Sequence, residues 1–265
     1  MNHSRLNPGP VIGLLLLACV LTGCGGTKVL KEPQPIQTTQ SLATASDKRV
    51  DASLDWVIVR DGPGTWAKNA DWDEYLMSVS NQSDNPIQII SLTVVDSLDI
   101  QIESQPGRKP LVKGSKKTAG RYKDSGIEVK AGRGVGTLLV AGAAVTAVGV
   151  GVGIATMGPI LGAASAGAGA GAAVGGLLLL GPAIAIGGIV RGVNNSGVNK
   201  QIVARQTTLP LDIPAGEELG LDVFFPLAPS PQRVVLIYAD ATGEHSLVID
   251  TREALDGLHI DVPTE

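Results

Sequence analysis

From Gly134 to Val190 the chain carries no Asp, Glu, Lys, Arg or His. Nearly every residue there is Gly, Ala, Val, Leu or Ile. A helix on the surface of a globular protein shows one face to water, so it does not stay free of charge for so long. A membrane helix needs about 20 apolar residues, and this run has room for two. Any fold for this chain must therefore accommodate a long apolar segment that begins and ends inside the sequence.

The small residues of the run are spaced. Gly149 and Gly153 are four apart, as are Gly158 and Gly162, and then Gly167, Gly171 and Gly175. On a helix, residues four apart share a face. A groove of such residues lets a second backbone approach closely, which drives helix pairing where there is no water to expel. Gly158-Pro159 is a natural break, because proline removes a helix hydrogen bond. The pattern predicts a helical hairpin, with one helix over about 136–157 and a second over about 172–190 that Pro182 kinks. Two features oppose it. Glycine costs about 1 kcal/mol against alanine in a helix interior, and Val148 to Gly153 alternates with the period of a strand.

The amino-terminal end is a targeting segment. Arg5 gives a weakly positive start, and Val11 to Leu21 is an apolar run of signal-peptide length. Leu21-Thr22-Gly23-Cys24 follows. This order of parts resembles the lipobox of bacterial lipoproteins. The resemblance implies that Cys24 is diacylglycerated, freed by signal peptidase II and acylated on its new amino group. It also implies an outer-membrane destination facing the periplasm, because Gly25 follows Cys24 where an Asp marks many inner-membrane lipoproteins. Cys19, the other cysteine, lies in the apolar run and would leave with the signal. The mature chain then has no thiol for a disulfide, a metal site or a nucleophile. Several acyl chains hold a protein durably, at about 0.8 kcal/mol per buried CH₂.

Residues 24–48 read as a polar, flexible tether. Strand signals occupy 49–131 and 200–262. Tyr75, Met77 and Val79 alternate with polar residues. Ile90, Leu92 and Val94 do the same, as do Leu98, Ile100 and Ile102. Leu219, Leu221, Val223 and Phe225 repeat the pattern, and Val234–Tyr238 reads as a buried strand. Glu253 onward is weaker. Within the first part, 105–131 reads as a basic loop. Arg108, Lys109, Lys113, Lys116, Lys117, Arg121, Lys123 and Lys130 face only Asp124 and Glu128. Arg133, Arg191, Lys200 and Arg205 place further positive charge beside the run. This suits a solvated loop or attraction to anionic head groups. Nucleic acid is a poor fit, since the net charge is −4 and aromatics are not interleaved.

Each strand-rich part is small. Joined, they make about eight or nine strands, the number in an immunoglobulin-like domain. The strand–turn–strand pattern around Val79 to Val94 loosely resembles such domains. The expected fold is thus mainly β with inserted α. An immunoglobulin-like β-sandwich is interrupted by a Gly/Ala-rich helical hairpin at 132–199, with a signal peptide at 1–23. The alternative is two separate β units flanking a membrane segment.

Recognisable catalytic chemistry is missing. There is no HExxH, CxxC, GxSxG, GxGxxG or P-loop spacing. His3 leaves with the signal, while His245 and His259 sit in or beside strand signals. Asp61, Asp71, Asp73 and Glu74 could gather oxygens for Ca²⁺, but they lack an EF-hand order and suit a solvated turn better. Trp66 and Trp72 suit cover for the core better than an exposed patch. No catalytic, cofactor-binding or metal residue is assigned. The expectation is a non-enzymatic envelope lipoprotein, attached to a membrane by lipid on Cys24, with the 134–190 hairpin as a second membrane contact or a self-association element. Its composition resembles the small glycine-zipper outer-membrane lipoproteins. A docking subunit of an envelope or secretion assembly is the alternative, and an enzyme with an unrecognised site is third.

Overall fold

The computed structural model describes residues 26–32, 36, 40–136 and 195–261. Cys24 and the helix-packing residues Gly149, Gly153, Gly158, Gly162, Gly167, Gly171 and Gly175 lie outside the described residues. Among those described, the chain is mainly β. One sheet takes β2 (Ala43–Ser46), β3 (Val50–Ile58), β5 (Asp73–Asn81) and β10 (Glu218–Phe225), in the order β10-β5-β3-β2. A second takes β6 (Ile87–Val95), β7 (Gln101–Glu103), β9 (Leu211–Ile213), β11 (Arg233–Asp240) and β12 (Gly243–Asp250). Its order is β12-β11-β6-β7, and β9 also pairs with β6. Two small ladders join β1 (Lys28–Val29) to β4 (Ala67–Lys68), and β8 (Glu128–Val129) to β13 (Ile260–Asp261). Helices α1 (Arg108–Asp124) and α2 (Asn195–Arg205) complete the described elements.

The strand pairing runs across the apolar insertion. β10 lies along β5 with Leu221 opposite Met77 and Val223 opposite Tyr75. β11 lies along β6 with Leu236 opposite Leu92. Neither half could complete its sheets alone, and isolated strand pairs are marginal in water. Side chains from both halves form one apolar cluster that includes Trp56, Tyr75, Met77, Leu92, Phe225, Leu236 and Ile249. The alternation in Leu219–Phe225 and Val234–Tyr238 sets this up, since Leu221, Val223, Phe225, Val234, Leu236 and Tyr238 are all buried.

Several expectations need correction. The basic loop contains a 17-residue helix, α1. Its buried face is Leu111, Ser115, Thr118 and Tyr122, a helical spacing in which two of four positions are polar. Apolar periodicity therefore missed it. Part of the expected tether is strand, β1 and β2. Those strands offer little apolar signal and draw their hydrogen bonds from β4 and β3. The alternation of Ile90 with Leu92 and Val94 breaks. A register shift opposite Ile237 and Tyr238 leaves Ile90 half-buried while Ile87 and Ile89 are fully buried. Leu98 and Ile100 belong to a turn rather than a strand, because the Asp96 carboxylate accepts from both their backbone N–H groups, at 2.9 and 3.0 Å. The weak tail carries buried Leu255, Leu258 and His259.

Candidate functional site

One loop, residues 60–72, meets both the amino-terminal segment and the point where the chain departs into the apolar run. At the amino-terminal side, Thr27 Oγ1 donates to Asn69 O, Lys28 pairs with Lys68, and Leu30 N–H donates to Trp66 O at 2.8 Å. Gly26, the first described residue, lies against Asn195, where a Cβ on Gly26 would stand 3.5 Å from the Asn195 side-chain oxygen. Asn195 opens α2, the return from the apolar run. Arg108 at the start of α1 locks these pieces together. Its Nε and Nη2 donate to Thr27 Oγ1, and its backbone N–H donates to Asn199 Oδ1 of α2 at 3.0 Å.

The departure point of the run rests on the same loop. Gly132 passes so close to Arg60 O that a Cβ there would lie 2.3 Å from it, and Val135 packs over Gly62. Arg60 in turn donates to Ala70 O and pairs with Asp71. Ser115 of α1 donates to Asp71 O and accepts from Leu227 N–H at 2.9 Å, so its buried hydroxyl pins the helix to loop and body together.

Two side-chain pairs, each with a buried carboxyl, stiffen this end. The Arg205 guanidinium donates to Glu74 Oε1 from Nε and Nη2, both at 2.7 Å, and Trp66 Nε1–H donates to Glu74 Oε2 at 2.6 Å. Arg205 also lies over the Trp66 ring. Burial pushes the Glu74 carboxyl up to about 7, against the pull of Arg205 and with the nearby Asp222 charge adding to the rise. Burial raises Asp222 as well, and Arg205 opposes this. His259 Nδ1 accepts from Gly132 N–H, so its ring proton sits on Nε2, 2.8 Å from Asp73 Oδ2. That pair clamps the departure turn to β5.

The acidic residues at the end of the loop and the start of β5 do not converge. Asp71 goes to Arg60, Asp73 to His259 and Glu74 to Arg205. No group of His, Cys, Asp and Glu that could hold a metal ion occurs among the described residues. Trp66 and Trp72 are both buried. His245 is a surface partner of Asp240 and Thr242. Among the basic flanks, Lys130 and Arg133 pair with Asp261, and Lys200 is exposed on α2. Sequence reasoning missed the roles of Thr27, Arg108, Asn199 and His259. The one local signal was Gly132-Arg133-Gly134, where paired glycines mark close backbone approach. No helix among the described residues is long and apolar enough to cross a membrane. No family model, curated protein or solved structure matches this chain.

The raised Glu74 carboxyl sets a pH dependence. Its folded value of about 7 exceeds its ordinary 4.5. The folded chain therefore holds a proton that the unfolded chain has lost between those values, and stability falls as pH rises through the window. Urea midpoints should report about 2 kcal/mol more stability at pH 5 than at pH 7.5 from this group. Glu74→Gln should remove that slope, and an unchanged slope in the variant would assign it elsewhere.

Proposed function

We propose that this chain is a non-enzymatic, lipid-anchored protein of the bacterial cell envelope. Lipid on Cys24 holds the body at the inner face of the outer membrane, facing the periplasm. The run 134–190 is a glycine-zipper helical hairpin that inserts in or lies against the bilayer, or pairs with copies of itself. The two larger sheets are the faces of an immunoglobulin-like sandwich. The observation that supports this reading is the convergence on loop 60–72. Gly26, two residues after Cys24, meets Asn195, and the departure turn at Gly132 rests on Arg60. A lipid on Cys24 and both feet of an apolar hairpin would then leave from one end of the body, as a membrane attachment requires.

A second reading, a docking subunit of an envelope assembly, draws on the outer face of β2, β3 and β5. That face holds an open concavity of about 610 Å³ lined by Thr44, Ser53, Ser78, Ser80 and Gln82. Co-purification with defined proteins favours this reading, and detergent-dependent self-oligomers favour the first.

Cys24→Ala tests the anchor. The wild-type mature chain should begin at Cys24, carry acyl mass and stay with membranes. The variant should accumulate as an unprocessed, non-lipidated precursor. Normal maturation and unchanged membrane retention in the variant would refute the reading.

A further inference from the structure

We infer that the lysines at the anchored end of the body form a binding face for the head groups of anionic phospholipids. The face comprises Lys28, Lys68 and the α1 stripe Lys109, Lys113 and Lys116. The inference rests on the reading that Cys24 carries lipid, and it adds an orientation to that anchor.

The first observation is the geometry of α1. At 3.6 residues per turn, Lys109, Lys113, Lys116 and Lys123 project along one stripe, opposite the buried Leu111, Ser115, Thr118 and Tyr122. These four lysines and Lys117 are exposed, and none of them forms an ion pair among the described residues. The second is the β1–β4 ladder. Lys28 stands directly opposite Lys68, and both are exposed. Like charges directly opposite across a ladder destabilise it. Neither lysine pairs with a carboxylate among the described residues, so an anionic surface would relieve that repulsion.

Placement connects the two. Arg108 opens α1 and holds Thr27, the neighbour of Lys28. Two residues of extended chain from Gly26 to Cys24 reach at most about 7 Å. The amino-terminal end of α1 and the lysine pair are therefore close to where a lipid would enter a bilayer. Lysine attraction to a membrane fades within about 8 Å at physiological salt, so only lysines held this near contribute.

Charge complementarity selects the occupant. The whole chain is acidic, at −4, so an anionic surface attracts it only through a segregated basic face. A protein partner would need an apolar or aromatic centre, and lysines are depleted from such centres. A fluid sheet of phosphate head groups needs no such centre.

The test uses the full mature lipoprotein on two kinds of vesicle, phosphatidylcholine alone and phosphatidylcholine with roughly 30 % phosphatidylglycerol. A water-soluble amine reagent labels the lysines, and mass spectrometry reads each site. Lys109, Lys113 and Lys116 should label roughly fivefold more slowly on the anionic vesicles, with the difference erased by high salt. In the combined variant Lys109→Gln, Lys113→Gln, Lys116→Gln, Lys28 and Lys68 should regain labelling on the anionic vesicles. Glutamine keeps the exposed helix positions favourable. Equal labelling on both vesicles overturns the inference. Equal protection on both, or protection without vesicles, also overturns it and indicates a second copy or another protein on the helix. Flotation with pure phosphatidylcholine reads the anchor separately. A chain that floats there without the anionic difference keeps the anchor and loses the lysine face. A chain that fails to float there but is protected on anionic vesicles does the reverse.

Discussion

His259→Leu should cost about 3–5 kcal/mol of folding stability. The imidazole is fully buried, and its Nε2 faces Asp73 Oδ2 at 2.8 Å. Asp73 is equally buried, and its Oδ1 has no hydrogen-bond partner among the described residues. Leucine fills a similar volume but donates nothing. The variant would therefore hold a carboxylate with neither water nor a partner, the costly way to break a buried pair. Gly132 N–H would lose its acceptor too. Urea denaturation at pH 7.5 measures the loss. The double variant Asp73→Leu, His259→Leu should recover most of the loss, since replacing both partners by apolar groups is often near neutral. A single-variant loss below about 1 kcal/mol would show that the pair contributes little.

Gly134→Ala should cost about 2–4 kcal/mol. Gly134 has a φ of 73°, where an L side chain crowds its own backbone. A Cβ there would also stand 2.4 Å from Gly257 O, 2.8 Å from Gly257 C and 2.9 Å from Leu258 Cα. All three are backbone atoms, so no rotamer change relieves the clash. The departure turn should lift from the segment before β13 and lose the His259 N–H bond to Arg133 O. Limited proteolysis should then cut near residues 130–136, and the urea midpoint should fall. An unchanged midpoint and cleavage pattern would mean that the turn can shift to admit a methyl group.

Much of the β framework was legible in the chain. Period-two alternation through Tyr75–Val79 and Leu219–Phe225 identifies strands because each alternate side chain must leave water; Tyr75, Met77, Val79, Leu221, Val223 and Phe225 are buried, and Leu219 at the strand's start is half-buried. The charge-free run is also written in sequence, as local composition. What escaped was whatever long-range partners decide. α1 has polar Ser115 and Thr118 on its inner face, and they are tolerated there only because the fold hides that face. β1 and β2 exist because β4 and β3 supply their hydrogen bonds. Ile90 changes phase because the partner strand shifts register beside it. The chain of contacts that links Asn195 to Gly26, Arg108 to Thr27, Thr27 to Asn69 and Gly132 to Arg60 joins positions up to 169 residues apart, from 26 to 195. No local pattern carries such a meeting. Sequence alone determined where the chain is apolar and where it alternates, because those depend on each residue and its near neighbours. Only the tertiary structure decided that His259 meets Asp73 and that Gly132 and α2, on either side of the run, both meet residues of one loop, because burial, close backbone approach and paired charge are properties of segments brought together.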